Sequence, residues 1–425
     1  MRICVFEDSS VANLSPLTLT QPVFDLLCGA STILERLQRA WTADEMSVLV
    51  RPALAELCRA MHPDLPVNDL AKLRQGPVLL VNARWLPLAV RRPDFTASHV
   101  GLHGDTVAYV FLQTPAIADN ILDEVDDQLQ EWKHTLPGQE VGGFLIDYPW
   151  DLIEANGPAL AQDFSAWKTT RANKYVPEGV SVLGPWEALL IAPDATIEPM
   201  VVVDTRKGPV LVDRGAVVDS FSRLEGPCYV GPETRVLGAR VRSGSFGPQC
   251  RLGGEIESSI FLGYSNKAHD GFIGHSYVGA WVNLAAGTQT SDLRIDYAPI
   301  SMTIGDHRVE TGLLKVGSFI GDHTKTALNV VFNTGSLIGP FAQLLISASM
   351  APRLVPAFCR YGHGRLQERT DLWEMFTTAA TVMQRRGRQL SDIQIEFFHS
   401  LYEATSEARQ QVIFDSEQRR LRRVV

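Results

Sequence analysis

No stretch of about 18 uncharged apolar residues occurs in this 425-residue chain, which excludes a membrane-spanning helix. The start, MRICVFEDSS, carries acids among its opening residues and no apolar run ending in a small-residue cleavage site, so no secretory leader is expected. An excess of positive charge is lacking too. The 39 Lys and Arg are outnumbered by 48 Asp and Glu, the net charge is -9 and the pI is near 5.6. A phosphate backbone rewards basic surfaces, so a nucleic-acid binder is excluded. Cysteine is scarce: the six, at positions 4, 28, 58, 228, 250 and 359, show neither close pairing nor zinc-ligand spacing. A reducing, cytoplasmic setting follows as the expectation.

What is present is a balanced, folding composition, 45% hydrophobic and 20% charged, at a length that predicts two or three domains. The one basic exception lies near the end, where Arg385, Arg386, Arg388, Arg419, Arg420, Arg422 and Arg423 cluster; such a cluster reads as a solvated helix face or an inter-subunit patch.

The first part alternates strand and helix. Ile3 to Phe6, residues 47–50 and Val78 to Val81 are apolar runs of buried-strand length. Between the first two, Ile33, Leu34, Leu37, Ala40 and Trp41 recur at helical spacing behind Ser31 and Thr32, which can cap a helix. Strand, helix, strand predicts an α/β sheet.

From about Val180 the pattern becomes one aliphatic residue every six. Ile191 and Ile197 begin it; Val212, Val218, Leu224 and Val230 keep frame; Phe246 with Leu252, Val278 with Leu284, and then Ile320, Thr326, Phe332 and Ile338 resume it. A six-residue unit with one inward aliphatic suits a triangular coil of short parallel strands, and a period of six fits a β-sandwich poorly. Breaks are expected between Tyr264 and Phe272 and between about Asp292 and Lys315, where loops should form a binding face. The pattern ends after Ser349. Leu372, Met375, Phe376, Ala379, Val382 and Met383 then predict a helix, and Ser391 with Gln394 forms a capping box for another.

The stretch NKAHDGFIGHSYVGAWVNLAAGT (266–288) concentrates chemistry: His269 and His275 beside Lys267, Asp270 and Asn283, with glycines and alanines that permit close backbone approach. A loop histidine is most often a structural group; His269 at a break of the coil, next to a cation, reads as functional. His275, six residues on, could simply continue a ladder.

This segment resembles the acetyltransferase domain of the bacterial bifunctional enzymes that make UDP-N-acetylglucosamine, and more closely their alternative, shorter family. That domain carries K-A-G-H-x-x-Y-L-G and then V-N-x-G-A-G-T; here Lys267 to Gly274 matches with one glycine missing, and Val282 to Thr288 matches with Ala285 for a glycine. The resemblance implies a left-handed β-helix, usually trimeric, with His269 as general base and His275 as a secondary candidate. It further implies sugar or phosphate contact by Arg242, Lys267 and Asn283, and acetyl-coenzyme A contact at Ala286 and Asp292. Departures are Phe272 for the family's tyrosine, Asp292 and Leu293 for an asparagine and tyrosine, and Ser258 for a phosphate-binding lysine.

The first domain resembles sugar-phosphate nucleotidyltransferases through PLTLTQP (16–22), Gly29 and Ile33 to Arg36. Their phosphate-holding L-A-A-G-x-G-T-R-M loop corresponds to Phe6 to Leu14, which has neither glycine nor arginine; their lysine aligns with Val23, and their magnesium-holding Gly-Asp with Ala83 and Arg84. Glu7 and Asp8 should repel a triphosphate unless a metal intervenes, and a working site would need Arg84 or Arg36 as replacement cation. DYPWDLIEAN (147–156) reads as a buried linker helix with Trp150 in the core.

The expected organisation is a nucleotidyltransferase-like α/β domain over 1–175, a left-handed β-helix over 176–350 and a helical extension over 351–425. The expected activity is acetyl-CoA-dependent N-acetylation of an amino-sugar phosphate, with Mg2+ and a nucleoside triphosphate required only if the first domain works. The expected assembly is a homotrimer, with no nucleic acid and no membrane as partner and no metal at the acetyl-transfer site. Two other classes fit less well: a metal-dependent hydratase using some of His269, His275, His307 and His323, and a non-catalytic trimeric sugar-nucleotide scaffold.

Overall fold

The structure, a computed structural model, describes residues 2–41, 45–90, 93–171, 176–345 and 350–422. Arg423, from the terminal arginine cluster, lies outside the described residues. No described helix is long and apolar enough to cross a membrane. The chain divides into two compact units: Met1–Leu14, Thr20–Leu26 and Ser31–Asp151 form the first, and Ser15–Leu19, Leu27–Ala30 and Leu152–Val425 the second.

The first unit is a mixed six-stranded sheet in the order Glu45–Leu49, Arg2–Phe6, Val78–Asn82, Thr106–Leu112, His99–His103, Gly138–Glu140. The three apolar runs seen in the sequence form its parallel part, with Cys4 between Ser47 and Leu80. The helix Ile33–Ala40 opens on a capping box, in which the Glu35 backbone N–H donates to the Thr32 hydroxyl and the Thr32 N–H donates to the Glu35 carboxylate. Cys4, Phe6, Leu80, Val110 and Trp132 meet in its core.

The second unit is a parallel β-solenoid of about ten turns over residues 181–361. Its frame is the hexad frame. Val212, Val218, Leu224, Val230, Phe246, Leu252, Val278, Leu284, Ile320, Phe332 and Ile338 are all buried in one apolar column. One inward row runs Ile197, Val218, Val236, Leu252, and its next member is Lys267, paired through the register Leu252↔Lys267. The coil therefore continues through 264–272 and is not broken there. A polar residue in an inward position imitates a break. The second interruption is real: from Asp292 to Val316 the chain leaves the coil as an antiparallel hairpin of Ser301–Ile304 and His307–Glu310, closed where the Val316 N–H donates to the Asp292 carbonyl. Beyond 349 the coil makes a further turn, with Val355 beside Ile338 and Tyr361 beside Leu344.

The coil turns its corners in left-handed backbone, and one corner row is aromatic. Tyr264, Trp281, His323, Phe341 and Phe358 all have φ between 57° and 61°. Each N–H donates to the carbonyl of the residue before the preceding member of the row, as from Phe341 to Asp322 and from Phe358 to Pro340. Left-handed backbone costs a bulky residue about 1–2 kcal/mol, and ring stacking offsets it. Centroids lie 4.2 Å apart for Tyr264 and Trp281, 4.7 Å for His323 and Phe341, and 5.2 Å for Phe341 and Phe358. The C-terminal helices cover this row. Phe376 of Leu372–Gln384 and Phe398 of Asp392–Ala404 meet Phe341 edge-on, and the Arg388 guanidinium donates to the Tyr264 hydroxyl. The capping box at Ser391 and Gln394 is present.

Trp150, at the start of the helix Pro149–Arg171, is buried against Tyr148, as the linker-helix reading requires. Further along, Leu160 and Trp167 of that helix pack on Tyr229 and Leu211 of the coil.

Candidate functional site

Two neighbouring corners of the coil carry the polar side chains singled out by the sequence. One is the left-handed row Ser243, Ser258, His275, each with positive φ. The strand residues just before these corners lie side by side, Arg242 next to Glu257 next to Gly274. The Arg242 guanidinium reaches Glu255 at 2.9 Å and Glu257 at 3.1 Å. The Lys315 ammonium, delivered by the return of the hairpin, donates to Glu257 at 2.8 Å. Burial raises the Glu257 carboxyl, but the hydrogen bond and charge of Lys315, the charge of His275 and the hydrogen bond from Arg242 outweigh it and hold its pKa below the ordinary value. His275 Nδ1 lies 2.8 Å from the Asp292 carboxylate, and both side chains are largely buried. Gly274 is required here: a Cβ would come within 2.4 Å of Asp292 Oδ2.

The other corner precedes the strand Phe272–Gly274 and carries His269, exposed on a short loop. The loop is held at its base. The Lys267 ammonium donates to the carbonyls of His269 and Asp270, and the Gly287 N–H donates to the Asp270 carbonyl. Ala286 stands beside it, its carbonyl accepting from Asn329, and Gly287 admits no side chain because a Cβ would collide with the Asn329 amide. Asn283, bridged on either side to Asn266 and Lys325, accepts from the Asn266 amide at 2.7 Å.

Two of the residues named from the sequence have partners that only the fold reveals. Lys267 is fully buried inside the coil, with its ammonium bonded to backbone carbonyls of the His269 loop, which it braces. Burial lowers its pKa to about 8. Asp292 is turned toward His275. Lys315 was not singled out in the sequence as a site residue. It returns to the site across a hairpin, and nothing local marks it. Ser258, where the resembled family has a lysine, lies on the corner next to Glu257, the residue that Lys315 reaches.

In the first unit Glu7 and Asp8 do not stand as free charges. Glu7 accepts from the Val23 N–H and pairs with Arg51 at 3.0 Å; Asp8 takes a two-pronged contact from Arg84 at 2.7 and 2.6 Å and a further bond from the Asn82 amide. Arg84 is buried and also bonds Asp147 and the Ile146 carbonyl. Arg36 is buried as well. Neither arginine suggested as the replacement cation faces the cavity of about 360 Å³ that Glu7, Asp8, Ser9, Asp123 and Asp126 help to line.

Among the described residues, no three His, Cys, Asp or Glu side chains converge as metal ligands. The described carboxylates of the first unit therefore offer no prebuilt Mg2+ cage. His269 and His275 occupy different corners, His307 the hairpin and His323 the aromatic row, so the four histidines weighed for a hydratase do not meet.

Residues 3–172 match the family model described as sugar nucleotidyl transferase. The chain is 26% identical over 277 residues to a bifunctional sugar-1-phosphate nucleotidylyltransferase/acetyltransferase of Sulfurisphaera tokodaii, covering 63% of each protein. It is 27% identical over 219 residues to the bifunctional protein GlmU of Methanocaldococcus jannaschii, covering 49% of this chain and 46% of that one. A third relative, the bifunctional protein GlmU of Bartonella quintana, is 27% identical over 209 residues, with 46% and 42% covered. The matches span less than two thirds of each of these relatives. Fold and comparisons agree on a chain similar to the bifunctional GlmU proteins, in which a nucleotidyltransferase-like domain is followed by a β-solenoid.

Proposed function

We propose that the second unit is an acetyl-CoA-dependent N-acetyltransferase acting on an amino-sugar phosphate, coupled to sugar-1-phosphate nucleotidyl transfer on the first unit. The observation that carries this reading is the pairing of two corners. A corner where Arg242 and Lys315 pair with Glu255 and Glu257 lies one three-residue strand, about 10 Å, from an exposed imidazole at His269. That span suits a hexosamine 1-phosphate, with phosphate at the cations and amine toward His269.

The amine must lose a proton to attack a thioester, and imidazole is the side chain whose ordinary pKa suits that task. The ammonium gives one proton to His269, the nitrogen–carbon bond forms, the carbon–sulfur bond breaks, and the second proton shed by the nitrogen goes to the departing sulfur, so that coenzyme A leaves as the thiol. The small-residue turn Ala285, Ala286, Gly287 lets the pantetheine arm approach the backbone. Each site is completed in this reading by a neighbouring copy, in a homotrimer in the cytoplasm.

A second reading makes His275 the base, because Asp292 orients its ring as a carboxylate orients a catalytic imidazole. The test is acetylation of a panel of hexosamine 1-phosphates followed by free-thiol release. His269→Ala should lower turnover about 100-fold to 10,000-fold with acetyl-CoA affinity retained, and His275→Ala should cost less. The reverse order assigns the base to His275, and no thiol release with any hexosamine phosphate overturns acetyl transfer itself.

A further inference from the structure

The second unit holds a cavity of about 860 Å³ that neither corner uses. Its walls come from three places: the hairpin, through Met302 and Arg308; the late turns of the coil, through Leu337 and Arg353; and the final helix Ser406–Arg422, through Arg419 and Arg420. Four guanidinium groups line it against two carboxylates, Asp306 and Asp415. Part of this charge is already answered, since Arg308 pairs with Glu310 at 3.0 Å and Asp415 accepts from Gln411 at 3.1 Å. Arg420 is different: its Nε is buried without a hydrogen-bond partner among the described residues. A buried charged donor without an acceptor is costly, and an anion in the cavity would remove that cost. The rest of the lining is mixed: Ser301, Thr303, Asn333, Gln411 and Ser416 are polar, while Met302, Leu337 and Leu366 present buried apolar side chains.

Arginines from three walls, beside an apolar patch at Met302, Leu337 and Leu366, suit a ligand with phosphate groups and a flat or apolar body. We propose that this cavity is a binding site for a phosphorylated ligand of the nucleotide class, with its phosphates held by Arg353, Arg419 and Arg420 and its apolar body over Leu337 and Met302. The final helix thus takes part in recognition. Two ligands of the proposed reaction carry this chemistry, coenzyme A and a UDP-sugar, and the test separates them.

Binding to the full chain is measured by calorimetry with coenzyme A, UDP-N-acetylglucosamine and inorganic pyrophosphate as probes. For the Arg419→Glu/Arg420→Glu double variant, the dissociation constant of at least one nucleotide should rise roughly tenfold or more, with the thermal unfolding profile unchanged. Leu354→Asp, at the rim, should weaken that same nucleotide more than pyrophosphate. Loss confined to coenzyme A identifies the acyl donor as the occupant, and loss confined to the UDP-sugar identifies a product site. If the helix variant folds poorly, Arg353→Gln carries the test. Both nucleotides binding within twofold of the unaltered protein, or neither binding the unaltered protein, overturns the proposal.

Discussion

His275 Nδ1 and Asp292 Oδ2 lie 2.8 Å apart, and this bond fastens a coil corner to the point where the hairpin leaves the coil. Its partners are seventeen residues apart in sequence, and the left-handed backbone of His275, at φ 45°, aims the ring. The pair belongs to the architecture of the site whichever histidine takes the proton.

A double-mutant cycle on His275→Ala and Asp292→Ala, read by denaturant unfolding, should give a coupling energy of roughly 1–3 kcal/mol, the range for contacting polar partners. Coupling within about 0.3 kcal/mol of zero would mean that the two side chains do not hold the hairpin exit together.

Lys267 predicts a pH signature. Burial lowers its folded pKa to about 8, below the unfolded value near 10.5, so between those values the unfolded chain binds more protons and stability rises with pH. The burial penalty is full below pH 8. Lys325, also lowered to about 8, adds to the same window. Unfolding midpoints at pH 7, 9 and 10 should therefore rise less in Lys267→Met than in the unaltered protein. An identical rise in both would remove Lys267 from the account.

Asp8→Ala should destabilise the first unit by about 3–5 kcal/mol, because it strands the buried Arg84 guanidinium. With Arg84 held by Asp8 and Arg51 paired to Glu7, pyrophosphate exchange with ordinary Mg2+ and UTP should fall below the typical turnover of about 10 per second. Exchange at or above that rate would require a phosphate cradle formed elsewhere, with Ser9 and Ser10 the first residues to replace.

Phe398→Ala should cost about 3–5 kcal/mol, since its ring covers both His323 and Phe341. His323 is fully enclosed there; burial, then the Lys325 charge, lowers its pKa well below the ordinary value. Truncation after Asp371 should expose the aromatic row and bind a hydrophobic dye in the otherwise folded coil. A truncated chain with unchanged melting and no dye binding would show that the helices are dispensable.

The coil was legible because its period is set by single inward aliphatics, and Val218, Leu224, Leu252 and Ile338 stand where that period puts them. Lys267 was not legible as a core residue. Its stem fills an aliphatic position while its ammonium finds carbonyls, which only the folded loop provides. The aromatic row was equally hidden. Turns of unequal length and the inserted hairpin space its members irregularly from 264 to 358, so no period announces them. In the first unit three of the six strands of the sheet were plain as apolar runs, whereas the pairing of Asp8 with Arg84 joins residues remote in sequence.

The segment Leu27–Ala30 belongs to the solenoid unit although the sheet of the other unit surrounds it in sequence. The Leu27 N–H donates to the Tyr277 hydroxyl at 2.9 Å, Gly29 to the Asn156 amide oxygen at 2.8 Å, and Ala30 to the Asp163 carboxylate at 2.7 Å. Asn156 also accepts from Ser245 inside the coil. Linear order and structural membership thus disagree, and no single cut of the gene yields two intact halves. Fission at residue 175 would leave the solenoid without its own early residues and its packing helix. Unlike beads on a string, the two units would have to be inherited, expressed and lost together.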